Sequence, residues 1–288
     1  MKKFILYCLS FAFTLCAYFL LESIYILKKG NFLEDIAGRE IYISIEKSKE
    51  KTKYKKLVIG DSTANQLFMN NENHDSINSL ACNQAIGLCG HFFLLNNYLQ
   101  AGNRPEEVYL IYNVFSFTNN LDQVYTYHYF IKPFYKTEYK YLMTANVICQ
   151  IKKQPFYYIS QIPNVLISNW APKYKAKSDN KKYTLLSPIS REYLSKMDSL
   201  SNQYNFRLYY IPSIIDEIRK DSVLNKNKNE YKNEEFAEKF SIYMNNISYL
   251  NDSCFMDSTH FYNPYLYKKQ ILEIIRLIKE DYKMKGIY

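Results

Sequence analysis

The chain has 288 residues, with 37 Lys plus Arg against 28 Asp plus Glu, and a formal net charge of +9 at pH 7. Hydrophobic residues make up 48% and charged residues 23%, which excludes intrinsic disorder as the main state, and the 7 glycines exclude a collagen-like fibre. The lysines are scattered and form no compact basic helix, so we expect no nucleic-acid partner, while an anionic membrane surface or an acidic polysaccharide stays open.

The N-terminal segment predicts a membrane-spanning helix. Lys2 and Lys3 precede an uncharged, apolar stretch over residues 4–21. These 18 residues, rising about 1.5 Å each, span about 27 Å, which is enough to cross the hydrocarbon core of a bilayer. A secretory signal peptide usually has a shorter apolar region and a small-residue cleavage site, which this segment lacks. We therefore predict an uncleaved signal anchor over 1–29, with a cleaved signal peptide as the alternative.

The remaining chain is expected to be exported in either case, and it divides into a connector and a domain. Residues 30–54 are charged and of mixed composition, which predicts a connector to a folded domain over 55–285. After Lys55 and Lys56, the run 57–59 is apolar and partly β-branched and is followed by Gly60 and Asp61, which predicts a buried strand and a tight turn. Further strands are predicted over 77–81, 107–112, 205–211 and 253–256.

Helical patterns lie between and after these strands. Apolar residues recur at helical spacing over 89–100, 190–200, 236–247 and 267–278, the last after an N-cap at Asn263. Alternating strands and helices predict a parallel sheet with helices on both sides. The predicted fold class is therefore α/β, a three-layer α/β/α, flavodoxin-like parallel sheet preceded by one N-terminal transmembrane helix.

An aromatic-rich segment over 114–188 interrupts this alternation, and we interpret it as an insertion over the carboxyl edge of the sheet. A tyrosine-rich surface of this kind can stack on sugar rings. The alternative is a second hydrophobic layer with no ligand.

The six cysteines do not predict a metal site. None of them has the C-x-x-C spacing of structural zinc sites, and no set of histidines and carboxylates has metal-ligand spacing. We expect buried free thiols, with pairing of Cys82 and Cys89 in an oxidising compartment as the alternative. We predict neither a metal nor a cofactor.

Two short motifs carry the residue types that nucleophilic catalysis needs. Ser62 follows Gly60 and Asp61 where the first strand ends, which projects its hydroxyl into the crevice beyond the sheet. Asp257 precedes His260 by three residues, so across a turn it can reach the imidazole Nδ1–H while Nε2 faces a serine. A serine nucleophile needs a base, and the base needs an orienting group. The two motifs therefore predict a Ser62–His260–Asp257 triad.

These motifs resemble those of the SGNH, or GDSL-like, hydrolase superfamily, and the resemblance covers about residues 55–285. The first family block is similar to Gly60-Asp61-Ser62, and the last is similar to Asp257-x-x-His260. Both blocks are specific, whereas the two middle blocks are matched loosely.

The middle blocks of the family supply the oxyanion hole. The second block is similar to residues 83–87 and implies a backbone N–H donor at Gly87, with Gly90 or Leu88 as alternatives. The third block centres on an asparagine whose side chain donates to the oxyanion, and Asn113 is in that place, although the family's Gly-x-Asn-Asp is absent. The resemblance thus implies an oxyanion hole formed by Ser62, Gly87 and Asn113.

The resemblance implies a serine esterase or O-acyltransferase at the cell membrane, with a single-pass anchor and an extracytoplasmic catalytic domain. The expected partner is an acylated carbohydrate or another ester, with the O-acetyl groups of cell-envelope polysaccharide first. Asp61, His91 and His128 are further candidate substrate contacts. The altered third block leaves a non-catalytic glycan-binding or assembly protein as the alternative, and the anchor also motivates a lipid-directed esterase.

Overall fold

The computed structural model describes residues 1–29, 36–72, 74, 76–161, 173–175, 185–226 and 228–287. Its helices are α1 (Lys2–Lys29), α2 (Ile36–Lys49), α3 (Ser62–Leu67), α4 (Gly87–Gln100), α5 (Lys132–Phe134), α6 (Ala145–Lys152), α7 (Pro188–Tyr204), α8 (Lys220–Leu224), α9 (Ala237–Asn245) and α10 (Lys268–Met284). Its strands are β1 (Lys56–Gly60), β2 (Ile77–Ser79), β3 (Glu107–Tyr112), β4 (Arg207–Pro212), β5 (Ile215–Asp216) and β6 (Tyr249–Leu250). Residues 30–35 of the predicted connector and residues 162–172 and 176–184 of the predicted insertion lie outside the described residues.

A four-stranded parallel sheet in the order β2-β1-β3-β4 forms the centre of the domain. β1 pairs with β3 from Lys56 opposite Glu107 to Gly60 opposite Ile111, and β3 continues the same parallel pairing with β4. The carboxyl ends of these three strands therefore lie at one edge of the sheet. The predicted α/β class with a parallel sheet is confirmed.

Both faces of the sheet are buried, because successive residues of a strand point to opposite sides. Leu57 and Ile59 belong to a core that includes α4 and α7, whereas Val58 belongs to a second core that includes α3 and α10. Each fully buried leucine, isoleucine or valine side chain contributes about 1.5–3 kcal/mol. This two-sided burial explains why β1 and β3 carry no charged residue after Lys56 and Glu107, with which they begin.

The predicted helices are confirmed as α4, α7, α9 and α10, with small differences at their ends. The predicted apolar stripe of the last helix is buried at Ile271, Ile274, Ile275 and Ile278. Its start differs from the prediction, because a 3₁₀ turn over Pro264–Tyr267 precedes α10 and the Asn263 side chain makes no capping hydrogen bond.

The strand predicted over 253–256 is wrong. The Asn251 side chain accepts a backbone hydrogen bond at the start of a 3₁₀ turn over Asp252–Cys254, which diverts the chain from an extended conformation. Of the four residues 253–256, only Phe255 makes a β-bridge, and its partner is Phe261. The strand of this region is β6 instead, and it pairs with β5 in a separate two-stranded parallel sheet.

The predicted connector contains a helix that packs on the domain. Ile41 and Ile45 of α2 are buried in the same core as α4. The Asn70 side chain donates to the Ser44 hydroxyl and to the Glu40 carbonyl, each at 2.7 Å. The folded domain therefore includes α2 and does not begin at residue 55.

The aromatic segment forms a second hydrophobic layer outside α4 and α7. Phe93 of α4 stacks on Tyr139 with ring centroids 5.5 Å apart, and it also contacts Phe134 and Tyr193 of α7. Its first residues, 114–121, contact the carboxyl edge of the sheet through hydrogen bonds to Asp61 and to the backbone before α4. In its described part, the segment is therefore mainly a packed layer, and stacking of sugar rings on its exposed tyrosines (Tyr125, Tyr141 and Tyr158) stays a prediction.

The N-terminal helix α1 contains one span, Lys2–Leu21, that is long and apolar enough to cross a membrane, and none of it is buried within the molecule. This supports a single-pass membrane anchor by length and composition. A signal sequence satisfies the same criterion, so the cleaved alternative stays open.

Gly60 is required by the close approach of β1 to β3. A Cβ atom at this position would lie 1.9 Å from the Ile111 carbonyl oxygen, and that backbone belongs to a central strand. We expect Gly60→Ala to lower the free energy of unfolding by about 3 kcal/mol. Thermal unfolding followed by the near-UV circular dichroism of the tyrosines measures the loss.

The matched control for this substitution is Gly102→Ala. Gly102 has a φ of +88°, but a Cβ there would meet nothing within 4 Å. Its replacement is expected to cost about 1 kcal/mol through backbone conformation alone. Equal losses in the two variants would contradict a steric role for Gly60.

Candidate active site

Ser62 lies directly after the carboxyl end of β1, as the first residue of α3. The preceding Asp61 caps the helix, because its Oδ1 accepts the Thr63 N–H at 3.0 Å and the Thr63 hydroxyl at 2.6 Å. The N–H of a first helical residue has no partner within its own helix. The order Gly-Asp-Ser therefore places a half-buried hydroxyl and a backbone donor together at the edge of the sheet.

Three side chains form a hydrogen-bonded chain, although Ser62 lies 198 residues before His260 in the sequence. His260 Nε2 lies 2.8 Å from Ser62 Oγ, and His260 Nδ1 lies 2.8 Å from Asp257 Oδ2. When Nδ1 carries the proton and donates it to the carboxylate, Nε2 can accept the proton of the serine hydroxyl. The structure thus brings the predicted triad together in the order nucleophile, base and orienting carboxylate.

Backbone hydrogen bonds hold the turn over 257–260. Asp257 Oδ1 accepts the N–H groups of Thr259 and His260 at 3.2 and 2.8 Å. The Met256 N–H donates to the His260 carbonyl at 2.7 Å. Ser258 has a φ of 60°, a left-handed conformation that costs a non-glycine residue about 1 kcal/mol. The turn is therefore held against local strain by contacts that also orient the imidazole.

Asp257 is an ionised partner for the imidazole. Partial burial raises the pKa of its carboxyl, but hydrogen bonds from the His260 ring, the His260 N–H and the Thr259 N–H lower it by more. The resulting carboxylate stabilises the imidazolium that forms when His260 accepts a proton. Its side chain is 58% exposed, so water screens this stabilisation more than it would in a buried triad.

Gln66 ties the histidine turn to the serine helix. Its Oε1 accepts the Phe261 N–H at 3.0 Å, and its Nε2 donates to the Phe261 carbonyl at 3.4 Å. Gln66 lies four residues after Ser62, so the two side chains share one side of α3. Sequence reasoning missed this residue, although its position one turn after the serine was an available signal.

The predicted substrate contact Asp61 has a structural position instead. It is 1% exposed, and its Oδ2 accepts the Asn113 N–H at 2.8 Å and lies 2.9 Å from the Ser116 hydroxyl. Asp61 therefore ties the start of α3 to the loop after β3, and no substrate contact is open to it. Ser116 also contacts the Gln84 side chain, at 2.7 Å. Sequence reasoning missed Ser116, because a polar side chain after a strand gives no signal of burial.

Asn113 directly follows β3, and its side chain offers an unused donor near the start of α3. Its side chain is 3% exposed, and its Oδ1 accepts the Phe115 N–H at 3.0 Å. Among the residues that the structure describes, the Asn113 Nδ2 group has no acceptor. A fixed amide donor without a partner is what a developing oxyanion requires.

The predicted donor at Gly87 is engaged within the protein. Its N–H donates to the Gln84 carbonyl, where a 3₁₀ turn leads into α4, and the Asn119 side chain donates to the same oxygen at 2.8 Å. Leu88, an alternative from the sequence, lies one residue further into the first turn of α4, where N–H groups have no partner within the helix. Gly90 has a packing role, since a Cβ there would lie 2.6 Å from the nearest side chain.

The two histidines predicted to contact substrate lie in different surroundings. His91 is fully buried in α4 with its ring edge-on to Tyr112 at 5.5 Å, and burial lowers its pKa to about 3. It is therefore a neutral packing residue to which no substrate contact is open. His128 lies in a π-helical turn over Tyr127–Ile131, half-buried against Tyr129 with ring centroids 4.8 Å apart. Its substrate contact stays a prediction.

Replacing Asn113 with alanine tests the oxyanion donor. We expect kcat for ester hydrolysis to fall about 100- to 1,000-fold with little change in KM, because the donor acts mainly in the transition state. The control is Asn97→Ala, which removes hydrogen bonds to Tyr139 and Ser48 near the far end of α4. Similar kinetics for the two variants would exclude Asn113 from the oxyanion hole.

No group of three or more His, Cys, Asp or Glu side chains is placed to hold a metal ion within the described ranges. Cys82 and Cys89 are buried free thiols. No protein-family model matches the chain, and no curated protein matches it. The functional assignment therefore rests on the geometry of the site.

Proposed function

We propose that the protein is a membrane-anchored, extracytoplasmic serine esterase or O-acyltransferase of the SGNH-like type. The hydrogen-bonded chain of Ser62, His260 and Asp257 at the carboxyl edge of the sheet carries this proposal. The strand order and the two buried faces support a three-layer, flavodoxin-like arrangement, in which ligands bind at that edge.

In the proposed reaction, Ser62 Oγ attacks the ester carbonyl carbon while His260 Nε2 accepts its proton. Asp257 stabilises the imidazolium, and the Ser62 N–H and the Asn113 amide donate to the tetrahedral oxyanion. The carbon–oxygen bond to the leaving alcohol then breaks, the alcohol takes the proton from His260, and an acyl-serine remains. Water, activated by His260, releases the acid and restores Ser62, whereas a sugar hydroxyl in place of water completes acyl transfer.

The proposed substrate class is the O-acetyl groups of cell-envelope polysaccharide. The apolar N-terminal helix would hold the domain beside the envelope, and the net charge of +9 suits an acidic polymer. The test incubates the full chain in detergent with an O-acetylated acidic polysaccharide. We expect acetate release, or transfer of a labelled acetyl group to a glycan acceptor, that Ser62→Ala abolishes. Hydrolysis of long-chain lipid esters without release or transfer of acetate would contradict this substrate class and indicate a lipid-directed esterase.

A specific observation favours a second candidate, a non-catalytic glycan-binding or assembly protein. The Gly87 N–H is used within the protein, so the oxyanion hole has one fewer donor than the resemblance implies. Under this hypothesis, the polysaccharide binds equally to the unmodified protein and to Ser62→Ala, and neither releases acetate.

A further inference from the structure

Two cations and an aromatic ring form a cluster beside the triad. We define the Arg219 cluster as Arg219, Lys226 and Phe115. The Arg219 guanidinium carbon lies 5.0 Å from the Phe115 ring centroid, and Lys226 Nζ lies 4.9 Å from it. All three side chains are half-buried, so they combine access to solvent with reduced screening of their charges.

The cluster connects the two loops that carry the candidate active site. Arg219 Nη2 donates to the Ser258 hydroxyl at 2.5 Å, and Ser258 lies between the two triad residues of the turn over 257–260. On the other side, the Phe115 N–H donates to Asn113 Oδ1 at 3.0 Å. The guanidinium therefore lies between the histidine turn and the loop of the candidate oxyanion donor. A ligand bound between these two loops would contact the guanidinium.

Arg219 retains unused donors and charge. A guanidinium has five N–H groups, and the Ser258 hydroxyl accepts from one Arg219 nitrogen. Within the described part of the chain, no carboxylate lies at ion-pair distance from Arg219. By contrast, three other arginines pair with carboxylates, namely Arg191, Arg207 and Arg276. The charge of Lys226 is partly balanced by Glu230, so Arg219 is the stronger attractor of an anion.

We infer that Arg219 and Lys226 form an anion subsite, and that the ester substrate carries a carboxylate or phosphate group close to the reacting acyl group. The inference rests on the proposed function and specifies its substrate class. A guanidinium binds both anions through paired hydrogen bonds.

Matched acetate esters test the subsite. The probes are p-acetoxybenzoate, p-acetoxyphenyl phosphate and the neutral p-acetoxybenzamide, each corrected for its rate of alkaline hydrolysis. We expect the full chain in detergent to prefer at least one anionic ester over the amide about 10-fold in kcat/KM, and this preference to fall between about 0.05 and about 0.5 M NaCl. Comparison of the first two probes distinguishes a carboxylate from a phosphate substrate.

Variants connect the preference to the cluster. We expect Arg219→Gln to lower the anionic-to-neutral ratio about 10-fold, Lys226→Gln to lower it less, and Arg219→Lys to restore part of it. The control Lys285→Gln removes the same charge from an exposed position just after α10 and is expected to keep the ratio. An unchanged ratio in Arg219→Gln overturns the inference, while Ser62-dependent hydrolysis of the neutral ester leaves the proposed function standing.

A binding measurement decides the inference independently of turnover. Calorimetry of Ser62→Ala with p-acetamidobenzoate and p-acetamidobenzamide compares a carboxylate with its neutral counterpart, neither carrying an ester. We expect tighter binding of the carboxylate, lost in the Ser62→Ala, Arg219→Gln double variant. Equal binding of the two compounds overturns the anion subsite. Absence of Ser62-dependent hydrolysis together with carboxylate-selective binding overturns only the proposed esterase function.

Discussion

Ser62→Ala is expected to lower kcat for hydrolysis of p-nitrophenyl acetate by at least about 10³-fold, because no other group in the proposed reaction forms the acyl intermediate. The hydroxyl makes one hydrogen bond, to His260 Nε2, and the residue is only half-buried. Its loss is therefore expected to change the unfolding temperature by only a few degrees. The full chain in detergent, assayed with saturating ester, supplies both measurements.

The control for this substitution is Ser253→Ala. Ser253 is an exposed serine near the histidine turn. Its replacement by alanine is expected to leave kcat within about 2-fold of the value for the unmodified protein. A Ser62→Ala protein that stays folded and keeps more than about a tenth of the activity would show that another group attacks the ester.

His260→Ala is expected to lower kcat by about 10³- to 10⁴-fold, because the serine hydroxyl then lacks a base. Asp257→Asn is expected to cost less, about 10- to 100-fold, since Asp257 is 58% exposed and solvent can replace part of its stabilisation. The asparagine Oδ1 can still accept the backbone N–H groups of the turn, so the loss reports mainly on the imidazole tautomer.

The double variant Asp257→Asn, His260→Ala supplies the internal control. Because the carboxylate acts through the imidazole, the double variant is expected to be no slower than His260→Ala alone. Steady-state kinetics at a fixed pH measure all three variants. Independent, multiplicative losses would show that Asp257 contributes by a route that does not pass through His260.

The parts of the fold that were predictable are those with local patterns. After their first residues, Lys56 and Glu107, β1 and β3 carry no charge because both faces of the sheet are buried, and the apolar stripe of α10 is the side of that helix that is buried. β5 and β6 have two residues each and depend on pairing with one another, so no local pattern marks them. The helix α2 was missed because its charged residues outweigh the Ile41 and Ile45 pair that packs on α4.

The residues of the candidate site also fall into two groups, those that a local pattern predicts and those that only the folded chain brings together. Ser62, Asp257 and His260 belong to motifs with fixed offsets, so local sequence was enough to identify them. Arg219 reaches Ser258 across 39 residues and Gln66 reaches Phe261 across 195, and such contacts exist only once the chain has folded. The substrate contact predicted for His91 is wrong, because the side chain is fully buried in α4. Closeness in sequence to the oxyanion block does not determine which side of a helix faces the core.

The most direct test of the proposed nucleophile is the intact mass of the full chain in detergent after treatment with a fluorophosphonate. This reagent phosphonylates an activated serine oxygen and releases fluoride. We expect one adduct on the unmodified protein and none on Ser62→Ala or His260→Ala, because labelling requires both the hydroxyl and its base. A folded, unmodified protein that gains no adduct, or an adduct that persists in Ser62→Ala, would contradict the triad.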